Sequence, residues 1–505
     1  MKNILDEIVA QHKKDIEERG FSLGCKIPSY RERPVVPFLQ GKGVILEVKR
    51  ASPSKGDIAP NLDSAETAIS YVKSGAQAIS VLTEEHWFKG GLDDLINVSL
   101  NIGTNAAVLR KDFLLYPEEI DVAYKCGADA VLLIARVLDD EKIVSMAKRA
   151  EELGLTSLVE LRLSDDLRKL ELISKSVNSK FIVCGVNCRD LSDFSINLLE
   201  PSGVLEDIKK IMGNDVRVVF ESGIRTPQAA EFAGGLGFTG LLLGEAAAKS
   251  PQKAESLVKA FVYTKESRNT VFWSDFAIKV HQKRTECRPF VKICGLTNEA
   301  DVKLAAESGA DFLGFIFSSK SPRNVTQKMQ NSLKESILYV KEKQNVKTIA
   351  VITETETSEG KSAIEFVNEG VFDAVQVHGF TAALEFLKNN EYRMIPHYCA
   401  VAVKTKDDLA QLEELRKLGE PRILVDSKVN GIEGGTGVTV DENLVQEISH
   451  KQKLWLAGGI NSENVYNIIQ KSKPELIDIS SGIENSPGIK DQEKIKQMFS
   501  ILDNL

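Results

Sequence analysis

Two stretches decide how this chain is read: ILEVKRASPSKG at 45–56 and VKICGLT at 291–297. Each begins as an apolar β-like run and ends on ionisable or nucleophilic side chains: Glu47 and Lys49 in the first, Cys294 in the second. Charge at the end of a buried strand costs free energy unless it performs a task. Two such stretches, each followed by its own series of strands, predict two catalytic domains in one polypeptide.

Working outward from 45–56, short apolar runs recur through the first half: 44–49, 78–83, 106–113, 130–135, 157–161, 181–187, 216–222 and 240–245. Their spacing is that of a strand plus a return helix, and continuous rather than alternating apolarity suits parallel strands buried on both faces. Glycines before several runs, as in SGAQAIS, CGADAVLL and LGLTSLVE, suit closure of the preceding helix. The second half repeats the pattern at 290–295, 312–317, 347–353, 374–379, 393–401, 422–426, 453–459 and 476–482. Eight strands in each half predict two tandem (βα)8 barrels of the α/β class; a doubly wound open sheet is the other architecture the pattern allows. The expected division is a first barrel over 1–263, a linker over 264–288 that VFWSDFAIKV could make partly helical, and a second barrel over 289–505.

The bulk numbers agree. The chain has 505 residues, 43% of them hydrophobic and 27% charged, enough for two barrels of roughly 200–250 residues each. A net charge of −8 argues against a nucleic-acid partner. The charged, amphipathic N-terminus has no apolar core of a signal peptide, and no apolar run reaches the roughly 18 residues of a membrane span. These features predict a cytoplasmic protein without a membrane partner. The oligomeric state stays open, and a monomer is compatible with the sequence. Seven scattered cysteines suit a reducing compartment. Cys184 and Cys188 would lie about 13 Å apart on an extended strand, too far for a disulfide and awkward for one metal.

In a barrel, reacting groups come from the C-terminal strand ends and the loops after them. In the first half these ends carry Glu47 and Lys49, Lys111, Glu160, Asn187, and Glu221 with Ser222. Three carboxylates and two lysines would meet in one mouth, either as a structural ion-pair network or as acid–base machinery. A lysine beside another cation would lose its proton more readily. The loops ESGIRT and LGEAAA, with Gly223 and Gly244, offer backbone N–H groups to a phosphate. In the second half Cys294 and Asp426 end two strands, and a thiolate can serve as a base where nearby donors depress its pKa. A lone cysteine there could also be a small buried hydrophobe. GGTG at 434–437, AGGIN at 457–461 and SSGIE at 480–484 add further N–H clusters.

These motifs carry two resemblances. ILEVKRASPSKG, SVLTE (80–84), VLRKDF (108–113), LVEL (158–161), GVNCRDL (185–191), ESGIRT (221–226) and LLLGE (241–245), in that order, resemble indole-3-glycerol-phosphate synthase. KICGLT, GFIF with SPR (321–323), VQVHG (375–379), LVDS with GGTG, LAGGI (456–460) and DISSGIE with PGIKD (487–491) resemble phosphoribosylanthranilate isomerase. The first resemblance implies Lys111 as general acid, Glu160 as general base, and Lys49 and Glu47 ordering the substrate. Asn187 and Glu221 would support them, with Ser52, Ser222, Gly223 and Gly244 lining the substrate and phosphate pockets. The second implies Asp426 as the acid that opens a ribose ring and Cys294 as the base. Arg323 would grip an anthranilate carboxylate, and Gly459, Ser481 and Gly482 would hold a phosphate. His378 is read as structural or substrate-lining. Together they imply a bifunctional enzyme of tryptophan biosynthesis acting on anthranilate-bearing sugar phosphates, without metal or other cofactor. The sequence departs from the families at Glu160-Leu161-Arg162, at Asn187-Cys188-Arg189 and in AVIT (350–353). A generic sugar-phosphate isomerase, or one silent barrel serving as a binding module, are the rival readings.

Overall fold

The computed structural model describes residues 4–162, 164–189, 195–248, 251–283, 286–330, 332–426 and 442–505. GGTG at 434–437, Ser427 of LVDS and Asp190-Leu191 of GVNCRDL lie outside the described residues. The chain divides into two compact units, residues 1–266 with 277–281, and 267–276 with 282–505.

The first unit contains a closed barrel of eight parallel strands. They are β1 (Gly43–Val48), β2 (Ala78–Leu82), β3 (Ala107–Lys111), β4 (Ala130–Ile134), β5 (Thr156–Leu161), β6 (Ile182–Asn187), β7 (Val218–Glu221) and β8 (Gly240–Leu243). Each pairs with its sequence neighbour, and β1 closes the ring on β8 with Val44 opposite Leu241. Closure excludes the open sheet. Helices alternate with the strands, and Gly75, Gly127 and Gly154 take positive φ just after three of them, as the Gly-Ala and Gly-Leu steps predict.

Strand pleating decides what enters the barrel. Side chains two apart share a face, so one inward apolar residue is followed two residues later by another inward group. Ile45, Leu109, Leu158, Val183, Val219 and Leu242 belong to the apolar cluster filling the barrel interior. Counting two or four residues onward from each reaches Glu47 and Lys49, Lys111, Glu160, Asn187, Glu221 and Gly244. The interior layer is therefore a largely apolar floor under a polar mouth.

The second unit contains another closed parallel barrel. Its strands are β9 (Phe290–Cys294), β10 (Phe312–Phe317), β11 (Lys347–Ile352), β12 (Ala374–His378), β13 (His397–Ala402), β14 (Ile423–Asp426), β15 (Trp455–Ala457) and β16 (Leu476–Ile479). β9 closes on β16 with Phe290 opposite Leu476. The run read at 393–401 becomes a strand only from His397, because Pro396 lacks the N–H a ladder needs and a short 3₁₀ turn (Tyr392–Met394) precedes it. The lysine-rich stretch 318–347 resolves into a 3₁₀ turn (Lys328–Gln330) and a helix (Ser332–Gln344).

The segment expected as a linker holds a full helix, Arg268–Gln282. Within the second unit its Trp273 is fully buried, 5.8 Å between ring centroids from Trp455. Phe276 packs at 5.1 Å from Phe290, 5.9 Å from Phe312 and 5.2 Å from Trp455. This part of the segment is a hydrophobic plug of the second unit. Among the described residues no helix is long and apolar enough to cross a membrane.

Replacing Trp273 with alanine removes an indole from this aromatic cluster, and a buried aromatic-to-alanine change costs about 3–5 kcal/mol. Urea unfolding followed by circular dichroism is expected to show the transition of the second unit moved to lower denaturant. An unmoved midpoint would show that the plug contributes nothing.

Candidate active sites

All the predicted residues of the first half meet in one cavity at the C-terminal end of the first barrel. Glu47, Lys49, Ser52, Lys111, Glu160, Asn187, Glu221, Ser222, Gly223 and Gly244 line it. Lys111 Nζ donates to Glu221 Oε2 at 2.9 Å and stands 3.8 Å from Glu160 Oε2. Lys49 Nζ donates to Glu47 Oε1 at 3.1 Å and sits over the Phe88 ring, 5.3 Å from its centroid.

The electrostatics differ from the expectation that neighbouring cations would loosen a lysine proton. Burial acts to lower the Lys111 pKa, but Glu221, Glu160 and Glu47 outweigh it and hold the ammonium above its ordinary value. The mixed charges pair off, so each lysine sees carboxylates before it sees the other lysine. Glu160 moves the opposite way. Burial, then the Glu221 charge, push it up to about 7, against the pull of Lys111 and a hydrogen bond from Asn187.

Space around the carboxylates is made by missing side chains. A Cβ on Gly244 would fall 2.6 Å from Glu47 Oε1, and one on Gly185 would fall 2.1 Å from Glu221 Oε1. Gly185 lies inside the GVNCRDL motif without having been singled out, since nothing local shows that a carboxylate from the next strand needs its volume. Ser222 has φ +73°, an uncommon backbone state for a non-glycine residue and one found at functional turns.

The N-terminal helix (Ile4–Arg19) was missed as part of the site. Its Ile4, Leu5 and Ile8 line the cavity with Phe88 and Phe113, adding an apolar wall to the charged mouth. The helix is pinned by one buried polar contact and two that are more exposed. His12 Nε2 lies 2.7 Å from Glu119 Oε1, His86 Nε2 lies 2.8 Å from Asp15 Oδ2, and Arg19 donates to Glu85 at 2.7 Å. The helical spacing of Ile4, Leu5, Ile8 and Val9 was visible, but its destination depends on a histidine meeting a glutamate more than a hundred residues away.

In the second barrel Cys294 ends β9 and Asp426 ends β14. His378, ending β12, has Nε2 3.9 Å from Asp426 Oδ2, at the edge of ion-pair range. Beneath Cys294 lies a polar layer that carried no assignment from the sequence. Fully buried Lys292 donates to Asp478 Oδ2 at 2.6 Å and to Gln376 Oε1 at 2.7 Å, and Tyr398 donates to the same Gln376 oxygen at 2.8 Å. Burial raises the Cys294 thiol above its ordinary value, while the Lys292 charge pulls it down. Lys292 shares the inward face with Cys294, and only the closed ring shows that its counter-ion stands on β16.

The glycine-rich loops expected to hold a phosphate follow β15 and β16. Gly459 has φ +63°, and a Cβ on Gly482 would fall 2.0 Å from the Ile460 carbonyl oxygen, so the two loops touch backbone to backbone. Ser481 belongs to the same short turn as Gly482. Arg323 is committed in the structure to a two-pronged ion pair with Glu484. Among the described residues no group of His, Cys, Asp and Glu could hold a metal ion, and Cys184 and Cys188 are free thiols.

Fold and sites define an enzyme of tandem (βα)8 barrels, each with ionisable side chains at the C-terminal ends of its strands beside glycine-containing loops. The family model of indole-3-glycerol phosphate synthase matches residues 5–260, and that of N-(5'-phosphoribosyl)anthranilate isomerase matches 291–500. A multifunctional tryptophan biosynthesis protein of Schizosaccharomyces pombe is 30% identical over the whole chain, which spans 66% of that protein's length. The tryptophan biosynthesis protein TrpCF of Helicobacter pylori is 27% identical over 99% of both chains. The crystal structure of phosphoribosylanthranilate isomerase from Thermotoga maritima covers 43% of the chain at 31% identity, with a TM-score of 0.35. The chain belongs to the indole-3-glycerol phosphate synthase family and, with the isomerase domain behind it, is a bifunctional enzyme of tryptophan biosynthesis. Its substrates are small phosphosugar intermediates of that pathway.

The pin on the N-terminal helix depends on pH. Burial acts to lower the His12 pKa, but the Glu119 hydrogen bond and the Asp112 charge raise it above the ordinary 6.5. A raised folded-state pKa gives stability that is complete below 6.5 and lost as pH rises through the folded value. Hydrogen exchange of the Ile4–Arg19 amides, corrected for intrinsic rates, is expected to lose protection across that window, and His12→Gln to remove the dependence. Protection indifferent to pH would show that the pin carries no charge.

Proposed function

We propose that the second barrel, within the expected 289–505, converts N-(5-phosphoribosyl)anthranilate to carboxyphenylamino-deoxyribulose phosphate. The first barrel, within 1–263, would then close the pyrrole ring with loss of CO₂ and water. The observation that carries this reading is the Lys111–Glu160–Glu221 cluster: an ammonium held charged beside a carboxylic acid that titrates near neutrality.

In the isomerisation, Asp426 gives a proton to the ribose ring oxygen, the C1–O bond breaks, and the amino nitrogen supplies the electrons, leaving a cationic imine. Cys294 then takes the proton from C2, and the electrons return to nitrogen. The cationic intermediate helps, because a positive charge beside the thiol favours its thiolate against the burial that raises its pKa. Arg323 reads the carboxylate, and Gly459, Ser481 and Gly482 face the phosphate.

In ring closure, Lys111 donates to the ketone oxygen as the aromatic carbon attacks. Its raised pKa keeps it protonated at neutral pH, as a donor must be. Glu160 takes the proton whose removal completes dehydration, held in place by Asn187. Glu47 and Lys49 orient the substrate, Glu221 fixes Lys111, and Ser52, Ser222, Gly223 and Gly244 accommodate substrate and phosphate. The apolar wall of Ile4, Leu5, Ile8 and Phe88 suits the anthranilate ring.

Supplied with phosphoribosylanthranilate alone, the protein is expected to yield an isomer of unchanged mass and then a product lighter by CO₂ and water, read by mass spectrometry. Lys111→Ala should slow ring closure by about 10²–10⁴-fold and spare isomerisation, with the reverse for Cys294→Ala. Either substitution stopping both reactions in a folded protein would break the two-site account. A second expectation concerns pH. A base acts deprotonated, so kcat for ring closure should rise through about 7. Glu160→Gln should abolish that limb along with most of the activity, and a limb that survives it belongs to another group.

A further inference from the structure

The mouth of the second barrel holds a chain of buried charges that the proton transfers do not use. A hairpin of Glu484–Ser486 with Ile489–Lys490 follows β16, and its two ends carry Glu484 and Lys490. Both are buried. Lys490 Nζ donates to Glu484 Oε1 at 2.9 Å, to the Ser480 carbonyl at 3.2 Å and to the Cys294 carbonyl at 2.6 Å. Glu484 also accepts from Arg323 through two parallel bonds, Nε to Oε1 at 2.9 Å and Nη2 to Oε2 at 2.6 Å.

Two further features bind this chain to the strand end that bears the thiol. A Cβ on Gly295, the residue after Cys294, would fall 2.5 Å from Arg323 Cδ, so the arginine stem crosses directly over that glycine. The hairpin is itself tied to the segment following β9: Thr297 Oγ1 donates to the Gly488 carbonyl at 2.6 Å, and the Lys490 amide donates to Asp301 Oδ2 at 2.8 Å.

An arginine side chain carries rotamer entropy that binding would otherwise have to remove. Clamping the Nε–Nη2 edge to a buried carboxylate removes it during folding and turns the Nη1–Nη2 edge in one direction. Glu484 suits the task, because burial would neutralise it were it not for Arg323 and Lys490, which hold its carboxyl below the ordinary value. Through the Cys294 carbonyl, Lys490 fixes the base and the carboxylate-reading arm in one frame.

We propose that Glu484, held by Lys490, is the positioning residue that aims Arg323 at the substrate carboxylate. This rests on the reading of Arg323 as the group that grips that carboxylate. The test is steady-state isomerisation by the full chain, with phosphoribosylanthranilate and with the phosphoribosyl derivative of plain aniline, comparing Arg323→Ala, Glu484→Gln and Glu484→Asp. Glu484→Gln is expected to raise KM for phosphoribosylanthranilate about tenfold with kcat changed less than about threefold. Glu484→Asp, which keeps the charge, should recover part of the loss, and the aniline substrate should show no KM change in any variant. Ring closure by the first barrel reports that each variant chain is intact. Should Glu484→Gln not fold, Glu484→Asp carries the comparison, because a shortened carboxylate still predicts a higher KM confined to the carboxylate-bearing substrate. An unchanged KM in the Glu484 variants, with Arg323→Ala raising it, overturns the positioning role and leaves the reading of Arg323 intact. An unchanged KM in Arg323→Ala overturns both.

Discussion

Everything at these two sites depends on the pleat of a parallel strand inside a closed ring. Successive side chains alternate between the barrel interior and the helical layer, so a strand that has delivered Ile45 to the core must deliver Glu47 and Lys49 to the mouth above it. The same step carries Leu109 to Lys111, Leu158 to Glu160 and Val219 to Glu221. The apolar layer below lowers the local dielectric, which is why charges at the mouth interact strongly enough to move one another's proton affinities.

The two mouths use that environment differently. In the first barrel the ions are shared: Lys111 stands between Glu221 and Glu160, and the outcome is one group held charged and one held near neutrality. In the second barrel the compensation lies one layer deeper. Lys292 is neutralised by Asp478 under the thiol, and Cys294, Asp426 and His378 stand at strand ends of the mouth above it. Removing either partner of the Lys292–Asp478 pair would strand a buried charge, so this layer is as much a condition of folding as of chemistry.

Glycines set the tolerances. Gly185 and Gly244 leave room for carboxylates of other strands, Gly482 lets the loops after β15 and β16 touch, and Gly295 lets Arg323 pass over the residue beside the thiol. In each case the substitution that would fail is the smallest possible, a single methyl group, because the obstructing atom is backbone, a carboxylate or a clamped side chain. The hairpin of Glu484 and Lys490 belongs to the same logic, holding a long flexible cation still with charges already buried.

By itself the sequence determined the two barrels, the strand bearing each candidate residue and the end of the strand on which it stands, because period-two pleating and strand–helix spacing are local properties. It also displayed the motif order on which both resemblances rest. What only the tertiary structure decided is which charge meets which. The pleat of one strand already sets Lys49 beside Glu47, yet it is the tertiary structure that hands Lys111 to Glu221, 110 residues away. The N-terminal helix is legible as amphipathic, but its place over the cavity follows from His12 reaching Glu119. Arg323 is reached through the resemblance as a candidate to grip a carboxylate, but its partner Glu484 lies 161 residues away. Pairings of that range leave no periodic trace, since they are fixed by closing the barrel and by the cost of leaving any one of these charges buried alone.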